Sequence, residues 1–293
     1  MQTLARETHS QRPTHGVREF SFTRRDFQRV CAMIRQRAGI ALAPGKEDLV
    51  YSRLARRLRQ RNIDSFSGYL DWLESAGTED EWQEFTNALT TNLTAFFREA
   101  HHFDTLKALL KRQPRGKHSA IWCSAASTGE EPYSIAITAC EAYGTLTPPV
   151  SIIATDIDTN VLADAERGVY PLDRVAKMEG ELVKRYFQRG TGSNDGWCRV
   201  NPALKSLITY RPLNLLDDCW PVRGPFTAIF CRNVMIYFDK PTQYRLIRRF
   251  APMLARDGLL FTGHSESFFN IGDALKACGR TVFCRADGVA VAA

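Results

Sequence analysis

Four short, nearly continuous apolar runs limit most strongly the folds that this 293-residue chain can adopt. They occupy residues 119–123, 150–155, 227–231 and 259–262, and stretches of helical periodicity separate them. Such runs are typical of parallel strands that helices bury on both faces. We therefore predict an α/β domain over residues 118–288, built on a doubly wound, mostly parallel, Rossmann-like sheet.

The region before this sheet shows only helical periodicity. Residues 19–92 are predicted to form an all-helical N-terminal domain, with Asp64 as the cap of its third helix. A linking helix is predicted within residues 93–117. The polar residues 1–18 contain no apolar core segment, so we expect a disordered tail there and no secretory signal.

A second, smaller sheet is predicted inside the α/β domain, at about residues 189–212. This stretch is rich in Gly, Ser, Asn and Asp, and it contains two strand-like segments at 197–200 and 206–210. We interpret the two segments as a hairpin, which would form a small antiparallel β-subdomain inserted into the larger domain.

Composition bears on membrane insertion, cellular compartment and metal binding. No run of about 18 apolar residues is present, which excludes a transmembrane helix on sequence grounds. The eight cysteines include no C-x-x-C pair and the six histidines no H-E-x-x-H pair. We therefore expect free thiols, a cytoplasmic location and no metal site. Nothing in the sequence requires more than a monomer.

Two loops at strand ends suggest a nucleotide-type ligand. The first strand is followed by a run of small residues that includes Gly129, and the second strand ends in Asp156. Small residues let a ligand approach the backbone, and an acid at the next strand can accept both ribose hydroxyl protons. Alone, the first loop could be a tight turn, and Asp158 could be a helix cap. Together the two loops favour an adenosine-containing ligand.

The charges beside Gly129 decide which adenosine ligand fits. The chain lacks the G-x-G-x-x-G pattern that brings a pyrophosphate against a helix N-terminus. Glu130 and Glu131 stand at that helix start instead, and two carboxylates would repel a pyrophosphate. They are compatible with an ammonium and a sulfonium. The pattern therefore favours S-adenosylmethionine over NAD, FAD or ATP.

Two later loops are expected at the edge of the same ligand. Asn214 follows one apolar segment, and the strand at 227–231 leads directly into Arg232, Asn233 and Tyr237. Ligands of open α/β sheets bind outside the carboxyl ends of strands. Asn233 could equally be a turn residue and Tyr237 a core aromatic. The Asn/Asp-Pro-Pro-aromatic loop of many nucleic-acid amino methylases is missing here.

Several motifs of the chain resemble the chemotaxis receptor methyltransferase (CheR) family. They are NLTAFFRE at residues 92–99, ASTGEEPYS at 126–134, ATDID at 154–158, FCRNVMIYF at 230–238 and GHSES at 263–267. The similarity spans roughly residues 20–285. It implies transfer of a methyl group from S-adenosylmethionine to glutamate side chains of bacterial chemoreceptors, which leaves S-adenosylhomocysteine and a glutamyl methyl ester in chemotaxis adaptation.

The resemblance also implies roles for individual residues. Those matching Arg98 and Tyr237 lie near the methyl group and help to place the substrate. The β-subdomain is of the kind that docks the C-terminal pentapeptide of a receptor in some members of the family. The cofactor pocket of the family is lined by the equivalents of Asn92, Thr94, Arg98, Glu131, Asp156, Asn214, Leu215, Arg232 and Asn233.

Net charge is +7, and part of the excess lies on the second predicted helix. Opposite its apolar side, a helical wheel places five basic residues, Lys46, Arg53, Arg56, Arg57 and Arg59. We interpret this face as a contact for the acidic cytoplasmic domain of a receptor, although basic faces are often merely solvated. Such a protein would meet a membrane only through its receptors.

Two other functions remain open from the sequence. A nucleic-acid methyltransferase would explain the basic charge, but only Tyr51 lies near the basic face to stack on bases, so we expect no nucleic-acid partner. A non-catalytic sensor of S-adenosylmethionine would need no acceptor site, which the presence of Arg98 and Tyr237 disfavours. A carboxylate acceptor is already ionised at neutral pH, which fits the lack of any nucleophile–base motif.

Overall fold

Residues 18–266, 272 and 274–288 are described by the computed structural model. The tail predicted for residues 1–18 lies outside this range, apart from Arg18. The helices are α1 Arg24–Ala38, α2 Glu47–Arg61, α3 Phe66–Ala76, α4 Glu79–Leu89, α5 His101–Arg112, α6 Glu130–Tyr143, α7 Thr159–Arg167, α8 Leu172–Val175, α9 Gly180–Tyr186, α10 Pro202–Lys205 and α11 Lys240–Phe250. The strands are β1 Ser119–Cys123, β2 Val150–Asp156, β3 Val169–Pro171, β4 Phe187–Arg189, β5 Trp197–Val200, β6 Ile208–Pro212, β7 Phe226–Cys231, β8 Leu254–Thr262, β9 Leu275–Gly279 and β10 Val282–Arg285.

Helices α1 to α4 form a helical domain around their own apolar core. Its side chains include Ile34, Leu54, Phe66 and Phe85, all fully buried. One predicted cap is wrong: the N-cap of α3 is Ser65, not Asp64. The Ser65 hydroxyl accepts a hydrogen bond from the Gly68 amide, because the extended backbone at Ser65 aims the hydroxyl at the first turn of the helix.

The main sheet has the strand order β6-β2-β1-β7-β8-β10-β9. Strands β6, β2, β1, β7 and β8 are parallel, and β10 and β9 complete the edge in antiparallel pairing. The chain runs outward from β1 to β2 and later returns to the other side of β1 as β7. Strand order therefore reverses at β1, where open α/β sheets form a ligand crevice. The predicted fold class is confirmed.

The small sheet exists and contains the predicted strand at 197–200 as β5, but the predicted hairpin with the segment at 206–210 is wrong. Strand β5 does not form a hairpin with the segment after it; it lies between β3 and β4, antiparallel to both. Strand β6 instead joins the main sheet, parallel to β2. The β-subdomain therefore includes residues from 169 onward. Strands β3 and β4 have only three residues each, too few to show periodicity in the sequence.

The segment between the two domains is partly irregular. Helix α5 begins at His101 rather than directly after Arg98, and both Phe97 and Glu99 adopt left-handed backbone conformations. Non-glycine residues rarely do so, and such strain is often concentrated at functional sites.

The predicted boundaries 19–92, 93–117 and 118–288 remain predictions. Among the described residues, no helix is both long enough and apolar enough to span a membrane.

Candidate functional site

A cavity of about 410 Å³ lies at the carboxyl ends of β1, β2 and β7. Its volume is within the range of small-molecule sites. Helical-domain residues, including Leu42, Lys46 and Leu89, close its other side. The structure thus brings all of the predicted cofactor and substrate residues to one cavity: Asn92, Thr94, Arg98, Glu131, Asp156, Asn214, Leu215, Arg232, Asn233 and Tyr237.

Asp156 ends β2 and faces this cavity with a buried side chain. One carboxylate oxygen accepts a hydrogen bond from the Ser127 amide at 2.8 Å, and the other accepts one from the Asp158 amide at 3.0 Å. Burial nevertheless raises the pKa of Asp156 to about 6, although these two amides oppose the rise. The carboxylate is therefore poised to gain from further hydroxyl donors.

Asp158 has the structural role that the sequence left open. Its side chain caps α7 by accepting hydrogen bonds from the Asn160 and Val161 amides. It also accepts hydrogen bonds from the Thr90 hydroxyl at 2.6 Å and from the side-chain Nδ2 of Asn92 at 2.8 Å. Asp158 thereby fixes Asn92 at the cavity and ties the end of the helical domain to β2.

Arg232 lines the cavity and lies between two carboxylates, that of Glu131, which also lines the cavity, and that of Glu99, which lies behind Arg232 and outside the lining. Its Nη1 is 2.6 Å from Glu131 Oε2, and its Nη2 is 3.4 Å from Glu99 Oε2. The side chains of Arg232 and Glu99 are 1% and 6% exposed. When both carboxylates are ionised and the neighbouring His102 and His264 are neutral, this Glu131–Arg232–Glu99 triad carries one net negative charge; the two Nδ1 atoms lie 3.6 and 3.5 Å from Glu99. Burial raises the pKa of Glu131, and Arg232 opposes that rise.

Glu99 is the residue of this triad that sequence reasoning missed. The quoted motif at residues 92–99 ends in it, but nothing in the local pattern joins it to Arg232, 133 positions later. Its buried Oε2 has no hydrogen-bond partner. An acidic triad with an excess negative charge suits a cationic ligand group, because burying an unpaired charge is costly.

Histidines next to Glu99 raise the question of a metal ion. Glu99, His101 and His102 form a group of possible ligands whose atoms lie within 4.8 Å of one another. The sequence predicted no metal site, because its histidines and cysteines do not have the spacing of common metal-binding motifs. The absence of a metal site stays a prediction, and two contacts within the protein involve members of this group. Arg232 already supplies a positive charge to Glu99, and His102 Nε2 lies 2.7 Å from the Thr281 hydroxyl.

Arg98 and Tyr237 line the cavity with half-buried side chains. Arg98 Nη1 donates to the carbonyl oxygen of Leu93 at 3.1 Å. No described residue hydrogen-bonds the Tyr237 hydroxyl, so Tyr237 is not a core aromatic with a satisfied hydroxyl. A guanidinium and a free hydroxyl at one cavity can together hold an anionic group.

Asn233 and the turn that carries Tyr237 are held by a buried acid. Asn233 adopts a left-handed conformation with φ 57°, and Gly263 leaves space for its side chain. Glu266 accepts hydrogen bonds from the amides of Met235 and Gly263. The GHSES motif therefore fixes the loop after β7, a role that the sequence did not predict.

The basic residues of α2 do not form one free face. Arg57 pairs with the buried Glu81 at 2.6 Å and with Glu84 at 3.1 Å. Arg53 donates to the carbonyl oxygens of Ala88 and Thr90. Other members differ: Arg59 pairs with Glu19, Arg56 is exposed, and exposed Lys46 lines the cavity.

A switch-point cavity with an acid at the end of the second strand, and with carboxylates but no phosphate-binding glycine pattern at the first loop, fits the class of S-adenosylmethionine-dependent methyltransferases. Comparison with known proteins agrees. Residues 92–284 match the family model "CheR methyltransferase, SAM binding domain", and residues 25–90 match "CheR methyltransferase, all-alpha domain". The chain belongs to the CheR methyltransferase family, and the resemblance found from its motifs is confirmed.

Individual relatives match along most of their length. The chain is 52% identical over 272 residues to chemotaxis protein methyltransferase 2 of Pseudomonas aeruginosa, which covers 92% of this chain and 96% of the relative. It is 51% identical to the chemotaxis protein methyltransferase of Salmonella typhimurium, with 88% of each chain covered. For that of Escherichia coli the identity is 49%, with coverage of 88% and 89%. S-adenosylmethionine is thus the cofactor, and methylation in chemotaxis is the function of this family.

Proposed function

We propose that the protein methylates specific glutamate side chains on the cytoplasmic domain of chemoreceptors, the methyl-accepting chemotaxis proteins. The observation that carries this proposal is the position of Arg98 and Tyr237 at the same cavity as Asp156 and Glu131. A site for a cationic methyl donor and a site for an anionic acceptor therefore adjoin. The names of the relatives, chemotaxis protein methyltransferases, support a receptor as the acceptor.

The residues around the cavity suit S-adenosylmethionine part by part. Asp156 would accept the ribose hydroxyls, and the Glu131–Arg232–Glu99 triad would hold the amino-acid part. Asn214 and Leu215 would contact the adenine, while Asn92, Thr94 and Asn233 would complete the wall. When bound, the cofactor supplies an activated methyl group on a sulfonium.

The protein itself needs little chemistry beyond positioning. A glutamate side chain has a pKa of about 4.3 and is ionised at neutral pH, so no general base is required. Arg98 would orient the acceptor carboxylate, and the Tyr237 hydroxyl would donate a hydrogen bond to it. Closing the cavity against water would strengthen attraction between the carboxylate and the sulfonium. Nothing observed favours a nucleic-acid acceptor or a purely regulatory role.

Docking of the receptor would use surfaces outside the cavity. Strands β3 and β4 are both edges of the small sheet, and an edge strand can pair with an added peptide. We propose that an edge of this small sheet binds the C-terminal pentapeptide of those receptors that have one. Lys46 at the start of α2, and Arg56 and Arg59 on it, are exposed, and of these Arg59 pairs with Glu19. We therefore propose that Lys46 and Arg56 carry the electrostatic contact with the receptor. We also propose that the protein is cytoplasmic and acts as a monomer.

One assay tests the acceptor class. Radiolabelled S-adenosylmethionine is incubated with the protein and receptor-containing membranes, and in parallel with RNA. We expect label on the receptor that mild base releases as methanol, because carboxyl esters are base-labile. The Arg98→Ala variant serves as the control with an impaired acceptor site. Label on RNA, or base-stable label on the receptor, would contradict the proposal.

A further inference from the structure

Two large apolar side chains at the cavity are exposed to solvent. Leu93 is 79% exposed and Ile236 is 48% exposed, and both line the cavity that holds Arg98 and Tyr237. The other exposed large apolar side chains of the described residues, Leu146, Val169 and Trp197, lie away from this cavity. Exposed apolar groups that cluster at a site generally mark an interaction surface.

The backbone holds both side chains in place. Leu93 lies between Asn92 and Thr94, and its carbonyl oxygen accepts the hydrogen bond from Arg98 at 3.1 Å. Ile236 is the middle residue of the 3-10 turn Met235–Tyr237. Exposure of the two residues is therefore built into the structure.

The turn around Ile236 is anchored on three sides. Glu266 accepts from the Met235 amide at 2.8 Å, and the Ala41 amide donates to the Tyr237 carbonyl at 3.1 Å. Gln243 donates to the Met235 carbonyl at 2.8 Å. These bonds fix the backbone on both sides of Ile236, and on this backbone its side chain is 48% exposed.

We propose that Leu93 and Ile236 form an apolar rim that packs against apolar residues beside the acceptor glutamate. This inference rests on the proposed function. The Leu93 carbonyl oxygen accepts a hydrogen bond from Arg98, and Ile236 directly precedes Tyr237. A segment that delivers a carboxylate to Arg98 and Tyr237 therefore also covers the rim. The partner is therefore a receptor segment whose glutamate shares its surface with apolar side chains. In a helix these would stand three or four residues away.

The rim would also affect the chemistry of the site. Covering two large apolar groups removes water from the mouth of the cavity, and charges attract more strongly once water is excluded. A segment with charged residues beside its glutamate would not exclude water from the rim. The rim would thus select among the glutamates of a receptor, a task that Arg98 alone cannot perform.

The test compares Leu93→Gln and Ile236→Gln with Leu146→Gln, a change at a 39% exposed leucine outside the cavity. Initial rates are measured on receptor-containing membranes, and S-adenosylhomocysteine affinity is measured by calorimetry. We expect each rim variant to raise the KM for receptor roughly tenfold, as loss of one buried large apolar contact would. Cofactor affinity should stay within about twofold, and Leu146→Gln should match the wild type.

A second arm identifies the partner residues. Apolar residues next to a methylated glutamate are changed to Ser in the receptor, and we expect the loss to be smaller in a rim variant than in the wild type. Unchanged KM in both rim variants, or a loss of cofactor affinity equal to the loss of rate, would overturn the rim alone. Absence of receptor methylation by the wild type would overturn the proposed function and the rim with it.

Discussion

Two clusters of carboxylates and guanidiniums, one in each domain, show how similar groups can serve different ends. In the helical domain, the fully buried Glu81 pairs with both Arg57 and Arg61 and accepts a hydrogen bond from Tyr69. Burial would raise the pKa of Glu81, but the hydrogen bonds from these three side chains outweigh it, and the pKa is lowered.

At the cavity the balance is reversed. Arg232 is shared between Glu131 and Glu99, and burial keeps the pKa of Glu131 raised. One cluster has its charges satisfied within the protein, and the other has a negative charge to spare beside a cavity. The comparison teaches that a buried ion pair points to a ligand only when its charges do not cancel.

The largest expected effect is on stability, at Glu81. Glu81→Gln leaves Arg57 and Arg61 without their buried partner and should lower the free energy of unfolding by about 3 kcal/mol. Urea unfolding followed by tryptophan fluorescence measures this, since Trp72 and Trp82 lie in the same domain. S-adenosylhomocysteine affinity should stay unchanged.

Glu84→Gln is the matched control, because Glu84 pairs with the same Arg57 but is 38% exposed. It should cost less than about 1 kcal/mol. If fully folded Glu81→Gln protein bound the cofactor more weakly than the wild type, the helical-domain cluster would not be purely structural, and the comparison of the two clusters would fail.

The next largest effect is on cofactor binding, at Asp156. Asp156→Ala removes two charge-assisted hydrogen bonds to the ribose and should weaken S-adenosylhomocysteine binding at least about 100-fold in calorimetry. Asp164→Ala, on the exposed side of α7, should leave the affinity as in the wild type. Retained affinity in Asp156→Ala would refute the ribose role.

Glu99 should show a smaller and more selective effect. Glu99→Gln leaves Arg232 to neutralise Glu131, so the triad no longer offers a negative charge to an ammonium. We expect roughly tenfold weaker binding of S-adenosylhomocysteine. Binding of 5′-methylthioadenosine, which lacks the amino-acid part, should not change.

Glu130→Gln supplies the control for this experiment, since the Glu130 side chain is buried like that of Glu99 but faces Arg174 instead of Arg232. Equal losses for both ligands in Glu99→Gln would mean that Glu99 only supports the fold, and the charge argument would fail.

The smallest effect is a dependence on pH. In the role that we propose, ionised Asp156 binds the ribose hydroxyls, and burial raises its pKa in the free protein to about 6. Affinity for S-adenosylhomocysteine should therefore be constant above pH 7 and fall as pH drops through 6, about tenfold between pH 7 and pH 5. Asp156→Asn should bind weakly with a flat profile; a fall of the same size in that variant would assign the titration to another group.

Local pattern alone predicted much of this protein. Runs of apolar residues marked β1, β2, β7 and β8, because a strand buried on both faces must be apolar along its length. Motifs at the strand ends marked the lining of the cavity, because in a parallel sheet the carboxyl ends of strands meet at one edge. Family membership followed from the same motifs.

Only the tertiary structure decided which strands pair and which distant side chains contact each other. The segment at 206–210 looked like half of a hairpin, yet β6 pairs with β2, because pairing depends on which edge is free and not on neighbours in sequence. Arg57 was interpreted from a helical wheel as part of a receptor-binding face but pairs with Glu81. Glu99 was assigned no role but lies beside Arg232. A periodic pattern shows which face of an element is buried, whereas cancellation of charge depends on residues that only folding brings together.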